Sequence, residues 1–451
     1  MSEKQTESLE VNRRDFLKGG SFAALMTMLG GVQLFPQTTF ARGGEDKAAA
    51  AKVKIAVIGL GSWGREILNT LARLPQAEVS TICDTYAASL RRSSAAAPGA
   101  SQAEDYKAIL DNKDITAVAI ATPTHQHKDI ALAALKAGKH VYCEAPLANS
   151  IEDARAMALA ARAARQQVFQ PGLQMRADPQ RHFLLPFIRS GALGKTVMAR
   201  AQWHKKQSWR APAPNPEREK ALNWRLDKAV SLGLIGEIAG HQIDQASWFL
   251  TAHPLSITGF GSVAFWKDGR DVADTVQALF EFPGGVYLSC DCTLANSFEA
   301  DYEMYYGSDA AVMLRDNKAW MFKEVDSPLL GWEVYARKDA FYKETGIMLV
   351  ANATKLAAQT DKAVEEVPYT NTPLSHALGA FLEKCASVDD FIASYGSVDA
   401  AELQDHLAKS HLPPAATYVE GFQAAVTAVK ANEAIITGQR IALKPEWYEL
   451  G

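Results

Sequence analysis

The stretch VKIAVIGLGSWG, residues 53–64, constrains this chain more than any other. Its opening apolar, β-branched run suits a strand buried on both faces of a parallel sheet. Gly59, Gly61 and Gly64 follow with the spacing G-x-G-x-x-G, and helical periodicity resumes at Ile67, Leu68, Leu71 and Leu74. Such glycines permit a tight turn, then close approach of a pyrophosphate to the backbone, then close packing of helix on strand. The helix start, at Ser62 and Trp63, adds N–H donors and the positive end of a dipole. Asp84 ends the next strand-like run, EVSTICD, twenty residues past Gly64. A carboxylate there holds a ribose 2′-hydroxyl and disfavours a 2′-phosphate, so the pattern predicts NAD before NADP. Arg91 and Arg92 lie further on and soften that preference.

Strand-like and helical runs keep alternating through ITAVAIAT, HKDIALAALKAG and KHVYCEAP. This predicts an α/β fold, with a doubly wound parallel sheet over residues 53–170. Beyond Gln170 the character changes. KTVMARAQW, SITGFGSVAF, TVQALFEF, VYLSCDCT, DYEMYYGS and AWMFKEV read as strands separated by turns. They predict a second, α+β domain over residues 171–445, built on a large, open, mostly antiparallel sheet. Helices are predicted over 372–388 and 415–437, with Thr372 as an N-cap and Gly438 just past the second helix.

A length of 451 residues allows two or three domains, and a net charge of −4 with mixed signs excludes a broad nucleic-acid surface. The five cysteines are too few and too irregularly spaced for a disulfide framework; Cys290 and Cys292 share one strand face as core thiols. No Cys/His spacing suits a metal. At the other extreme of the chain, NRRDFLKGG (Arg13, Arg14, Lys18) precedes a short, weakly apolar run, Ser21 to Phe35, and a small-x-small site at Thr39-Phe40-Ala41. The run is too short for a stable membrane anchor. Residues 1–41 resemble a bacterial twin-arginine signal peptide, and 42–52 read as a linker. That resemblance implies contact with the twin-arginine machinery, a periplasmic or otherwise exported location, and a cargo folded around its cofactor before export. An uncleaved helix with a chance Arg-Arg pair is the alternative.

The stretch ATPTHQHKDIALAALKAGKHVYCEAPLA closely resembles the Thr-Pro-Asn-x-x-His…Glu-Lys-Pro signature of the glucose–fructose oxidoreductase/inositol dehydrogenase (Gfo/Idh/MocA) family. RSGALGKTVMARAQW, GEIAGHQIDQASWF, DTVQALFEFPGG and AATYVEGFQAAVTAVKANEAIITGQ are similar to its later segments, so the resemblance covers nearly all of 53–445. It implies NAD or NADP clasped by the N-terminal domain, a sugar or polyol against the C-terminal sheet, and a homo-oligomer; with the Asp84 reading and the export-like segment, the expectation is a tightly bound NAD. Carried over, Thr122, Pro123, His127, Glu144 and Pro146 flank the cofactor, and Gln174 and Arg176 match an Asn-x-Arg pair near the nicotinamide. His127 capping its own loop, or Arg176 in a surface ion pair, is the structural alternative. Ala145 departs from the family's lysine; alanine has no proton to move, which puts the lysine-assisted mechanism in doubt.

Glu237 and His241 match the family's Asp-x-x-x-His pair. At i and i+4 they are expected on one helix face, with the carboxylate favouring protonated imidazole and fixing its tautomer. His241 is the expected general acid/base, with a satisfied core histidine as the alternative, and Asp244 a substrate contact or a cap. Sugar sites use aromatic faces and polar tips. Trp203, His204, Lys205, Lys206, Trp209, Trp224, Tyr305 and Tyr306 qualify, with His204, Lys205, Trp224 and Tyr306 foremost. Three functions remain open: an exported oxidoreductase moving hydride between a sugar hydroxyl and retained NAD, a redox-neutral NAD-dependent glycosidase, and a non-catalytic sugar-binding protein.

Overall fold

The computed structural model describes residues 52–330, 333, 338–341, 344–349, 371–396 and 399–451. The export-like segment and the linker up to residue 51 lie outside the described residues.

Strands β1 (Val53–Ile58), β2 (Ala77–Cys83), β3 (Ser101–Ala103), β4 (Ala117–Ile120), β5 (His140–Cys143) and β6 (Phe169–Pro171) form one parallel sheet, ordered β3-β2-β1-β4-β5-β6. Helices α1 (Ser62–Leu71), α2 (Ala87–Ser93), α3 (Lys107–Asp111), α4 (His127–Lys136) and α5 (Ile151–Ala163) connect them. The first strand lacks alternation because both its faces are covered. Ile55 and Val57 enter one buried cluster, while Ala56 and Ile58 enter another. Strand order reverses between β1 and β4, so the loops after them part and open a crevice at the carboxyl end of the sheet.

The chain then passes through α6 (Pro179–Arg189), β7 (Thr196–His204), α7 (Pro216–Leu222), α8 (Gly233–Glu237) and α9 (Gly240–Leu250). It continues through β8 (Ser256–Ser262), β9 (Thr275–Phe282), β10 (Val286–Thr293), β11 (Asp301–Gly307), β12 (Ala310–Arg315), β13 (Lys318–Lys323), β14 (Lys338–Phe341) and β15 (Glu344–Leu349). Helices α10 (Pro373–Tyr395), α11 (Ala400–Lys409), α12 (Tyr418–Thr437) and strand β16 (Ile441–Ala442) close the chain. The second sheet has ten strands, β14-β15-β13-β12-β11-β7-β10-β9-β8-β16, antiparallel except for the central β10–β7 pair. Helix α9 covers one face: Phe249 packs on Tyr305 at 5.2 Å between ring centroids, and Gln245 Nε2 donates to Glu303 Oε2 at 2.7 Å. Met198, Leu279, Tyr287 and Phe260 stand on the opposite face, 38–65 % exposed.

Both late helices form, with Thr372 Oγ1 capping α10 and Gly438 ending α12 in the left-handed region. Helix α10 runs on to Tyr395 and buries Leu374, Leu378, Phe381 and Cys385 in the first domain's core, with Phe381 edge-on to Tyr142. The first domain therefore borrows a helix from the far end of the sequence, and a boundary drawn at Gln170 falls inside β6. All five cysteines are buried and free, and no described helix is long and apolar enough to cross a membrane.

Candidate active site

The glycine turn after β1 is shaped for an outside group. Gly59 takes a positive φ of 93°, and a Cβ there would come within 2.7 Å of the Ala121 backbone; one at Gly64 would come within 1.8 Å of the Gly59 carbonyl. Gly61 differs: a Cβ on it would meet nothing within 4 Å. Gly61 is the N-cap of α1, and no side chain caps that helix. Its free N–H groups, at Ser62 and Trp63 onward, open onto unfilled space, which fits a pyrophosphate. Asp84 holds the turn from the side, accepting from Leu60 N at 2.8 Å through one oxygen and from Tyr86 N at 2.7 Å through the other. From the second domain, Arg218 lays its guanidinium over the Tyr86 ring at 4.4 Å and reaches Thr85 Oγ1 at 3.4 Å.

The loops after β4 and β5 are tied by His127, whose Nδ1 lies 3.0 Å from the Pro146 carbonyl and Nε2 2.9 Å from that of Thr122. Burial pulls its pKa down to about 4, so the neutral ring can donate to only one of the two. His127 is thus a loop staple. Pro123 follows Thr122, whose hydroxyl is buried without a partner among the described residues, and Ala145 joins Pro146 through a cis peptide bond. Glu144 is buried beside Gly172, where a Cβ would sit 2.8 Å from its carboxyl. Burial pushes the Glu144 carboxyl up to about 7, against the opposing pull of the Trp63 and Tyr142 side chains and the Ala145 amide. Between the ordinary carboxylate value and about 7, the folded chain holds this proton and the unfolded chain does not. Stability from Glu144 is therefore lost as pH rises from about 4.5 to 7. Glu144→Gln in the nucleotide-free protein is expected to remove about 3 kcal/mol of that decline, at 1.36 kcal/mol per pKa unit, measured by denaturant midpoints across pH.

Glu237 and His241 do not share a helix. Glu237 ends α8, the chain breaks at Ile238 and Ala239 (Ile238 at φ −121°, ψ −65°), and α9 starts afresh at Gly240. Gly236 and Gly240 flank the break. The Glu237 carboxylate reaches the first domain instead, accepting from Thr124 Oγ1 at 2.8 Å and from Leu232 N at 3.1 Å. Burial raises its pKa, opposed by Arg225, Leu232 and Thr124. Burial also lowers that of His241, with Asp244 as the opposing charge, so the imidazole is kept neutral, contrary to the expected protonated form. Its Nδ1 is buried without a partner among the described residues. Asp244 in turn binds Arg176 through both carboxylate oxygens, at 2.8 and 2.9 Å, and the Arg176 guanidinium also lies over Trp248 at 5.4 Å. Arg176 and Asp244 thus form a two-fold ion pair that joins the turn after β6 to α9. Gln174 opens the half-buried turn that carries Arg176. His241 thus lies between two anchors, Glu237 on the loop after β4 and Asp244 on the turn after β6.

The sheet residues scatter. Tyr305 and Trp203 pack into the core. Tyr306 and His204 project from the face opposite α9: Tyr306 pairs with the exposed Met198 and donates to Met304 Sδ, while His204 Nε2 lies 2.7 Å from Asp291. One residue of strand parity takes both out of the cleft, and Lys205 lies exposed at the strand end. Trp224 does reach the site, with its indole edge-on to His125 at 6.0 Å. The next residue, Arg225, stands over the Trp224 ring at 4.7 Å and the Trp209 ring at 5.8 Å, and its Nε is buried without a partner among the described residues. Arg225, Arg218, Thr124 and His125 are site residues that the motifs left unmarked; only the aromatic-basic pair Trp224-Arg225 gave a local signal.

Residues 53–172 match the model of the oxidoreductase family with an NAD-binding Rossmann fold, and residues 186–312 match the GFO/IDH/MocA C-terminal domain. The chain belongs to the Gfo/Idh/MocA family. Levoglucosan dehydrogenase of Pseudarthrobacter phenanthrenivorans is 31 % identical over 210 residues, covering 42 % of this chain and 52 % of that protein. Inositol 2-dehydrogenase of Rubrobacter xylanophilus is 27 % identical over 252 residues, covering 55 % and 66 %. The matches thus span about half to two thirds of these Gfo/Idh/MocA relatives. Among solved structures, a levoglucosan dehydrogenase in complex with NADH and levoglucosan superposes with a TM-score of 0.62 at 19 % identity, covering 87 % of this chain and 99 % of that one. That likeness is one of fold.

Proposed function

We propose that this Gfo/Idh/MocA chain passes a hydride from the carbon bearing a ring hydroxyl of a sugar or polyol to a retained NAD, and that each cycle returns the hydride to the same sugar or to a second carbonyl substrate, which regenerates the NAD in place. The observation that carries the proposal is the buried Nδ1 of neutral His241, which has no partner among the described residues and lies between the Glu237–Thr124 and Asp244–Arg176 contacts. NAD, when bound, takes up the hydride released from the carbinol carbon. The chain supplies the rest. The open N-terminus of α1 and the Gly61 turn bind the pyrophosphate, and Asp84 meets the ribose, which favours NAD. His241 accepts the hydroxyl proton at Nδ1, a part the side chain at Ala145 cannot play. Glu237 holds the helix break against Thr124 and so positions His241. Trp224, Trp209 and Arg225 border the sugar. The names of the relatives, dehydrogenases of levoglucosan and inositol, support a carbohydrate substrate. Protein purified without added nucleotide is expected to release about one NAD per chain on denaturation; none, or NADP alone, would reject the reading.

Ala145 favours a second reading, a redox-neutral glycosidase, because net alcohol oxidation normally draws on the absent lysine. An aryl glycoside separates the two: aglycone release without added nucleotide supports the glycosidase, and a keto-sugar the oxidoreductase. We further propose that the twin-arginine-like segment exports the folded, NAD-loaded protein, tested by fractionating cells carrying Arg13→Lys with Arg14→Lys. The open sheet face with Met198, Leu279 and Tyr287 is proposed to join copies of the chain, which light scattering tests as a mass of at least two chains.

A further inference from the structure

Among the described residues, Arg225 makes no ion pair. Its buried Nε makes no hydrogen bond among the described residues, and the indoles of Trp209 and Trp224 border its guanidinium. Glu237 supplies the opposing charge in its surroundings, yet both Glu237 oxygens already accept, from Thr124 and from Leu232. Withdrawing a guanidinium from water without a partner is costly, and a ligand that restores the partner recovers that cost. His125 lies against the Trp224 ring, and burial lowers its pKa against the opposing charge of Asp227, so that ring adds no competing positive charge at neutral pH. The position is on the sugar side of the crevice: Trp224 meets His125, and Asn149 Nδ2 donates to the Val230 carbonyl, so segment 224–230 lies against the loops after β4 and β5.

Resting on the proposed sugar oxidation, we infer that the substrate carries a carboxylate, as a uronic acid does, and that Arg225 binds it. A planar guanidinium matches a carboxylate with two parallel hydrogen bonds, and indole faces suit the sugar's C–H groups. A phosphate dianion fits less well, because one guanidinium must serve both its charges within reach of the Glu237 carboxylate.

The test uses the full protein with its bound nucleotide. Calorimetry compares D-glucuronate, D-galacturonate and D-mannuronate with glucose, galactose and mannose. At least one uronate is expected to bind roughly tenfold or more tightly than its parent hexose, about 1.4 kcal/mol. Arg225→Gln should bring that ratio to near one, and Arg225→Lys, which keeps the charge and loses the fork, should leave it intermediate. Excess acetate should weaken the uronate and spare the hexose, a check that needs no variant. No uronate preference, tighter binding of glucose 6-phosphate, or an unchanged ratio in Arg225→Gln would overturn the inference. Nucleotide content and nicotinamide absorbance are read on the same samples. Bound NAD reduced by hexoses with no uronate preference leaves the oxidoreductase standing and removes only this inference. An Arg225-dependent preference in protein lacking NAD would do the reverse.

Discussion

Gly61→Val is expected to yield a folded protein with no bound nucleotide. Its neighbours in the same motif cannot give so clean a result. A side chain at Gly59 or Gly64 collides with backbone at 2.7 or 1.8 Å, so those variants damage the fold itself. At Gly61 the φ of −60° suits any residue, and the Cβ enters open space. The added isopropyl group then occupies the volume through which a pyrophosphate approaches the N–H groups of α1. Nucleotide released on denaturation should fall from about one per chain to below a tenth, with the thermal midpoint of the apoprotein unchanged. Arg218→Ala should act in the same direction and less completely, because it loosens a contact at the Tyr86 end and leaves the turn intact. Equal nucleotide content in wild type and Gly61→Val would place the cofactor elsewhere.

His241→Ala is expected to cost roughly 10²–10⁴-fold in turnover, the span of a general acid/base. Glu237→Gln should cost less, since it leaves the imidazole in place and weakens only its anchorage through Thr124. The pH profile carries the same claim. Burial disfavours the imidazolium of His241, with Asp244 opposing, so the ring stays a base below the ordinary histidine value. Activity should therefore persist below pH 6.5, and that acid limb should vanish in His241→Ala. Full activity in the variant would remove His241 from the role of base.

How much of this was legible in sequence depended on whether the constraint was local. The G-x-G-x-x-G turn, Asp84, the parallel sheet and the caps of α10 and α12 each follow from a few adjacent residues. The pairing of Glu237 with His241 failed because Gly236 and Gly240 flank a helix break, which the i, i+4 count does not register. His204 and Tyr306 were misplaced by a single step of strand parity: the alternation in ARAQWH separates the two faces but does not say which of them α9 covers. Arg218 over Tyr86, Glu237 on Thr124 and α10 in the first domain's core join residues more than a hundred positions apart. No local pattern encodes such contacts.

The central claim is that the carbinol carbon of a sugar delivers hydride to a nicotinamide that the chain does not release. Absorbance in the nicotinamide band, followed during exposure to hexoses, uronates and aryl glycosides with excess external NAD, tests it most directly. The account predicts a change with at least one of these sugars, limited to about one equivalent per chain and remaining with the protein on gel filtration. Free NADH accumulating beyond one equivalent, or no nicotinamide change with any sugar, would contradict it.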